Sequence, residues 1–280
     1  MPHGRSLTTT SRPEPTSGRS FAGSGGVSLN NQSRPAGRVH FFDEWRGLAI
    51  LLMVFYHGAY DVVEIFGVDW PLFQSFGMHV VQEGIAGSFI FISGVACRFS
   101  HSNRKRGLIT FGLGMVLTAV TLLVIPSQRV MFGVLHLLGT AMLVFSFLRR
   151  PLDKLHPAAG FLLMLLCFAL TMYVPYGVLG FPPFAVRLPE SIYQMGVLFP
   201  LGFPASGFFS SDYFPVLPWL FFFLTGSYFG VFARQGTLPS YFYREHLPVL
   251  SKIGRYTIWI YMFHQPVLYG ILVLIFHLLK

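Results

Sequence analysis

This 280-residue sequence predicts an all-α, polytopic membrane helix bundle of about seven transmembrane helices, with the amino terminus in the cytoplasm and the carboxyl terminus outside. Three observations predict it. Hydrophobic residues make up 53% of the chain and charged residues only 11%, whereas soluble domains carry about 25% charged residues. So few polar groups cannot cover the surface of a soluble fold. Seven apolar runs each approach the ~20 residues that cross ~30 Å of hydrocarbon. Finally, the basic residues gather at alternate ends of those runs, as topology requires.

Residues 1–39 are rich in Ser, Thr, Gly, Pro and Arg and hold only eight hydrophobic residues. They lack the apolar centre and cleavage site of a signal peptide. The expectation is a disordered basic cytoplasmic tail, followed by an integral-membrane domain over residues 40–280. The apolar runs lie at approximately 45–66, 80–100, 107–125, 131–148, 157–174, 215–233 and 255–278. They are too long for barrel strands, and spanning backbone must satisfy its own hydrogen bonds, so each is read as a helix. The connection 175–214, with VLGFPPF and VLFPLGFPASGFF, carries too many prolines and glycines for an eighth span and reads as irregular or re-entrant.

Seventeen of the 20 Lys and Arg residues fall on the side of the amino terminus, and only Arg129, Arg187 and Lys280 fall on the other. Acidic residues Asp61, Glu64, Asp69, Glu83, Glu190 and Asp212 gather on that opposite side. An odd number of spans fits this asymmetry. The net charge of +9 suggests a nucleic-acid partner, but no basic stripe with interleaved aromatics exists to make one. Cys97 and Cys167 lie inside apolar runs without metal or redox spacing, so no metal site is expected. Thr110, Gly114, Thr118 and Thr121 recur at helical spacing on the third run, a pattern for close helix packing.

The first run, DEWRGLAILLMVFYHGAYDVVEIFG, is the most informative. At ~100° per residue Arg46 and His57 fall within ~20° of each other, and Asp61 and Glu64 continue the same stripe. With ~1.5 Å rise per residue, His57 stands roughly 16 Å from Arg46, near the bilayer midplane. A carboxylate at such depth costs at least ~2.5 kcal/mol and should face protein or water. Asp61 either holds His57 as a structural pair, or orients it and raises its basicity for service as a general base.

Two further histidines reach similar depth. His136, in FGVLHLLGT, is roughly 10 Å in from Arg129, and His264, in IYMFHQPVLYG, roughly 14 Å in from Arg255. Pro266 is expected to break or kink the last run and free backbone carbonyls there. Each histidine alone reads as an ordinary interhelical bond; three at overlapping depth suggest one shared polar cavity. Asp212, in SSDYFPVLPW, either caps the following helix or lines the site from outside, and His79 opens the second run from the same side. At the cytoplasmic face stand Arg46, Arg98, Arg104 and Arg255, whose first duty is topology and whose second could be phosphate binding.

RGLAILLMVFYHGAYD, FIFISGVACRFS, FGVLHLLGT, SSDYFPVLPWLFFFLTGSYFG and IGRYTIWIYMFHQPVLYG occur in that order over most of residues 40–275. In this ordered set the chain resembles the bacterial branch of the heparan-alpha-glucosaminide N-acetyltransferase catalytic-domain family. The Arg-to-His spacing of the first run is also similar to that of integral-membrane acyltransferases acting on cell-surface glycans. The resemblance implies acetyl transfer across a membrane, from cytoplasmic acetyl-CoA as co-substrate to an amine or hydroxyl of a sugar on the far side. Lysosomal members carry an essential histidine in the luminal loop after the first span; the corresponding EIFGVDWPLF here has none. The nearest histidines are His57 before that loop and His79 after it.

On this reading His57 and Asp61 are the catalytic pair, and Arg46, Arg98, Arg104 and Arg255 hold the donor phosphates. His136, His264, Asp212 and His79 support the cavity, and His136 or His264 stabilises the developing oxyanion. The partners are membrane lipid, an acyl donor and a sugar acceptor, with no bound cofactor and with a homo-oligomer left open. The expected location is a bacterial cytoplasmic membrane. A proton-coupled permease using the buried His57/Asp61 pair is the alternative, although no internal repeat supports it. A non-catalytic scaffold would leave the cost of the polar stripe unexplained.

Overall fold

The computed structural model describes residues 38–278, so all but the last two residues of the expected tail lie outside the described residues. Helix α1 covers His40–Tyr60 and passes into a π-helical turn over Asp61–Ile65. Then come α2 (Phe76–Cys97), α3 (Asn103–Val124), α4 (Val134–Leu152) and α5 (Pro157–Thr171). The connection that follows holds a short hairpin of β1 (Val178–Leu179) with β2 (Val186–Arg187) and one helical turn, α6 (Glu190–Gln194). It forms no eighth span. Helices α7 (Val216–Gln235), α8 (Pro248–Arg255) and α9 (Thr257–Leu278) complete the described residues.

Each expected run is a helix, within a few residues of its expected ends. Six segments are long and apolar enough to cross a membrane, the exception being α4. Its 19 residues include His136 near one end and Arg149 and Arg150 in the last turn, which dilute its apolar character. The count by length and composition is therefore six among the described residues, not the expected seven. Helix α8 lies between the last two of the expected runs and adds a short helix to them. Pro266 does not break α9, which continues through it to Leu278.

Close helix approach is made by small residues. Between α2 and α7, a side chain at Gly94 would strike the Phe223 carbonyl oxygen, and one at Gly226 the Phe91 carbonyl. Only hydrogen at both positions lets the two backbones meet. At the arginine-rich end, Glu44 of α1 is buried and its Oε1 accepts the backbone N–H groups of His246 (2.6 Å) and Leu247 (2.9 Å). That carboxylate ties to α1 the two residues that lead into α8 and satisfies their backbone donors.

Three hydrophobic clusters hold the bundle, a small one of them around Phe42, Ile92, Val95 and Ala233. One surrounds α4 and α7, with Leu137, Phe145, Phe223 and Tyr228 buried at its centre. Another lies along α1 and α2 through Ile50, Met53, Tyr56, Ile85 and Phe89. Helix α9 packs chiefly on α1 and buries none of its residues fully. Tyr261 of α9 touches both of these larger clusters and so connects the dense part of the bundle to the thin part.

Candidate active site

Four polar side chains meet between α1 and α9. Asp61, 0% exposed, accepts a 2.6 Å hydrogen bond on Oδ1 from Gln265 Nε2. The His57 and His264 rings lie 5.0 Å apart between centroids. His264 Nδ1 stands 2.7 Å from the Tyr261 carbonyl oxygen, three residues back on the same helix. Among the described residues no hydrogen bond joins His57 to Asp61, so the pairing expected from their four-residue spacing is not made. Asp61 instead takes its partner from α9, where Gln265 reaches it, a pairing that no one-helix periodicity can reveal. The π-helical turn also holds more residues per turn than an α-helix, which rotates Glu64 off the stripe and leaves it exposed.

Two tyrosines tie this cluster to the rest of the bundle. Tyr56 donates to Gln82 Oε1 of α2 at 3.1 Å, and Tyr60 donates to Gln128 Oε1 at 2.9 Å. Phe73 packs under the Tyr56 ring at 5.2 Å. His79, a turn before Gln82 on α2, is exposed and makes no hydrogen bond to the cluster among the described residues. No spacing along the chain points to Tyr56, Tyr60, Gln128 or Gln265. A neutral amide inside an apolar run, as in HQP, is the signal that would have found Gln265.

His136 lies elsewhere, 2% exposed, at the start of α4. Its Nδ1 accepts the Gly133 backbone N–H at 3.2 Å. Its Nε2 lies 3.3 Å from Thr118 Oγ1, whose own proton goes to the Val130 carbonyl at 2.7 Å. Both ring nitrogens are therefore used, and the ring is stacked on Phe132. Gly114 of α3 makes room for it. The Thr110/Gly114/Thr118/Thr121 stripe thus faces α4 and bonds the turn that leads into it.

Asp212 belongs with this second group. Its Oδ2 accepts the N–H of Val134, the first residue of α4, at 3.0 Å, so it caps α4 and not the helix that follows it in sequence. Burial pushes its carboxyl up to about 6, against the lowering pull of that N–H. Of the expected supporting residues, the structure brings His264 to His57 and places His136 and Asp212 at the head of α4.

The four arginines divide as well. Arg98 is 5% exposed and bonds the Ser227 carbonyl through Nε at 3.1 Å; it pairs with Asp153 and lies over the Phe145 and Tyr228 rings. It clamps α2, α4 and α7 together, which leaves it inside protein and off the open face. Arg46 is partly buried beside Asp43 at 3.4 Å, Arg255 stands 4.0 Å from Glu245, and Arg104 covers the Phe147 ring.

A family model described as Heparan-alpha-glucosaminide N-acetyltransferase, catalytic, matches residues 38–266. No curated protein matches, and no solved structure does.

Proposed function

The chain belongs to the heparan-alpha-glucosaminide N-acetyltransferase catalytic family, and we propose that it moves an acetyl group from cytoplasmic acetyl-CoA to an amino-sugar or glycan acceptor on the opposite face of a bacterial cytoplasmic membrane. The observation that carries this reading is the meeting of His57, Asp61, His264 and Gln265 between α1 and α9 of a largely apolar bundle. Buried ionisable groups at that depth are costly and mark chemistry or transport.

The proposed topology has seven crossings with the amino terminus inside. In support, α4 starts beside Asp212 at one end of the bundle and finishes beside Arg98 and Asp153 at the other. Its 19 residues cover about 28 Å, a full crossing. With α4 counted, the basic residues fall on one side, as the positive-inside rule asks.

The donor's phosphates would rest against Arg46, Arg104 and Arg255. His57 stands roughly 16 Å along α1 from Arg46. A pantetheine arm extends on the order of 15–20 Å, so its thioester reaches the histidines while the nucleotide stays at the cytoplasmic face. The acetyl group then crosses by reach and not by a carrier rocking between faces. The test uses sealed vesicles containing the purified protein, radiolabelled acetyl-CoA on one side and glucosamine on the other. Transfer should require donor on the side of the amino terminus, and Arg46→Ala should raise the donor KM with little change in acceptor KM. Equal transfer with donor on the other side would contradict the arrangement.

A further inference from the structure

We infer that His264, rather than His57, is the group that takes the proton from the acceptor. This rests on the acetyltransferase reading and assigns a catalytic residue within it.

The starting point is the 2.7 Å contact between His264 Nδ1 and the Tyr261 carbonyl. A carbonyl oxygen only accepts, so Nδ1 carries the hydrogen and the lone pair of the neutral ring is on Nε2. That Nε2 is buried and makes no hydrogen bond among the described residues. The backbone of α9 thereby fixes the tautomer a general base needs, without any carboxylate partner. His57 has no hydrogen bond among the described residues to fix either of its nitrogens.

The same corner holds two more unpaired acceptors. Gln265 gives its amide nitrogen to Asp61 Oδ1, and among the described residues Gln265 Oε1 and Asp61 Oδ2 are buried without partners. An unsatisfied buried group costs about 1–3 kcal/mol, and native folds rarely tolerate three together. All three are acceptors, so a group that binds there brings hydrogens, as the amine or hydroxyl to be acetylated does. His136 offers the contrast, since both its nitrogens are already used.

The step balances without further reagents. The acceptor nitrogen or oxygen bonds to the thioester carbonyl carbon while its proton passes to His264 Nε2. Collapse of the tetrahedral intermediate breaks the carbon–sulfur bond, and the proton on Nε2 passes to the departing thiolate. The products are the acetylated acceptor and free CoA thiol, with His264 restored. Asp61 holds the neighbouring turn of α9 in place through Gln265.

The experiment measures turnover with radiolabelled acetyl-CoA and glucosamine in lipid nanodiscs. His264→Ala should lower turnover by about 100-fold or more, the usual worth of a general base, with the donor KM within a few-fold. Added imidazole should restore at least a tenth of the lost rate. His264→Asn keeps an N–H for the Tyr261 carbonyl but has no base, and should be equally slow; it decides the matter if the alanine variant does not fold. His57→Ala should lose less than about 10-fold and gain nothing from imidazole. Near-normal turnover in the His264 variants, or the larger, rescuable loss in His57→Ala, would overturn the assignment. Absence of transfer by the unaltered protein would instead overturn the acetyltransferase reading itself.

Discussion

The head of α4 and the α1–α9 seam are both polar places in an apolar bundle, and they are built in opposite ways. At the head of α4, His136 uses both nitrogens, Asp212 caps a helix, and Gly114 makes room for the imidazole. In the α1–α9 seam, Asp61 Oδ2, His264 Nε2 and Gln265 Oε1 are buried and make no hydrogen bond among the described residues. Helix α9 also buries no residue fully, whereas α4 is buried along most of its first three turns. The difference teaches that depth alone does not mark chemistry. Of these two places, the one whose capacity is filled by its own fold is a fastener, and the one left open is offered to a substrate.

The contrast in packing can be broken first with glycine substitutions, where the largest effect is expected. Gly94→Val drives a side chain into the Phe223 carbonyl on α7 and should cost about 1–3 kcal/mol, as overpacking generally does. Gly58→Ala on α1 meets only the end of Leu268, at 3.6 Å, and should stay within about 0.5 kcal/mol. Melting curves of the two variants in the same detergent would show it. Similar losses in both would mean that the α1–α9 seam is as closely packed as the α2–α7 contact.

A smaller effect sharpens the electrostatic side. The Asp212 carboxyl titrates near 6 in the folded protein and near 3.9 in an unfolded chain. Between those values the folded state holds more protons, so stability falls as pH rises from about 4 to about 6. The slope is at most about 1.4 kcal/mol per pH unit. Asp212→Asn keeps an acceptor for the Val134 N–H and should flatten the melting temperature across that window. An unchanged slope would move the titration to another group.

Much of this was legible in the residues. Apolar run length located every long helix, because the bilayer imposes a length that few other constraints mimic. The rise per residue also set His57 and His264 at matching depth, and their rings do lie side by side. What escaped were facts that belong to two elements at once. Asp61 looked like the natural partner of His57 on one helical stripe, but Gln265 arrives from another helix. Arg98 has the same sequence setting as Arg104, near the junction of two runs, yet one is buried against Asp153 and the other is exposed over Phe147. Spacing along a chain cannot separate a topological arginine from an internal clamp. The π-helical turn at Asp61–Ile65 likewise has no periodic signature, and it is what removes Glu64 from the stripe.

One paired measurement addresses the distinction most directly. His136→Ala and His264→Ala are prepared identically in nanodiscs, and each is scored by melting temperature and by acetyl transfer per folded molecule. The head of α4 being a fastener, His136→Ala should lower the melting temperature by at least ~5 °C and leave turnover within a few-fold. The α1–α9 seam being the reacting site, His264→Ala should leave melting within ~2 °C and lose turnover by about 100-fold. The reverse pattern, with turnover lost at His136 and stability lost at His264, would contradict the division of roles.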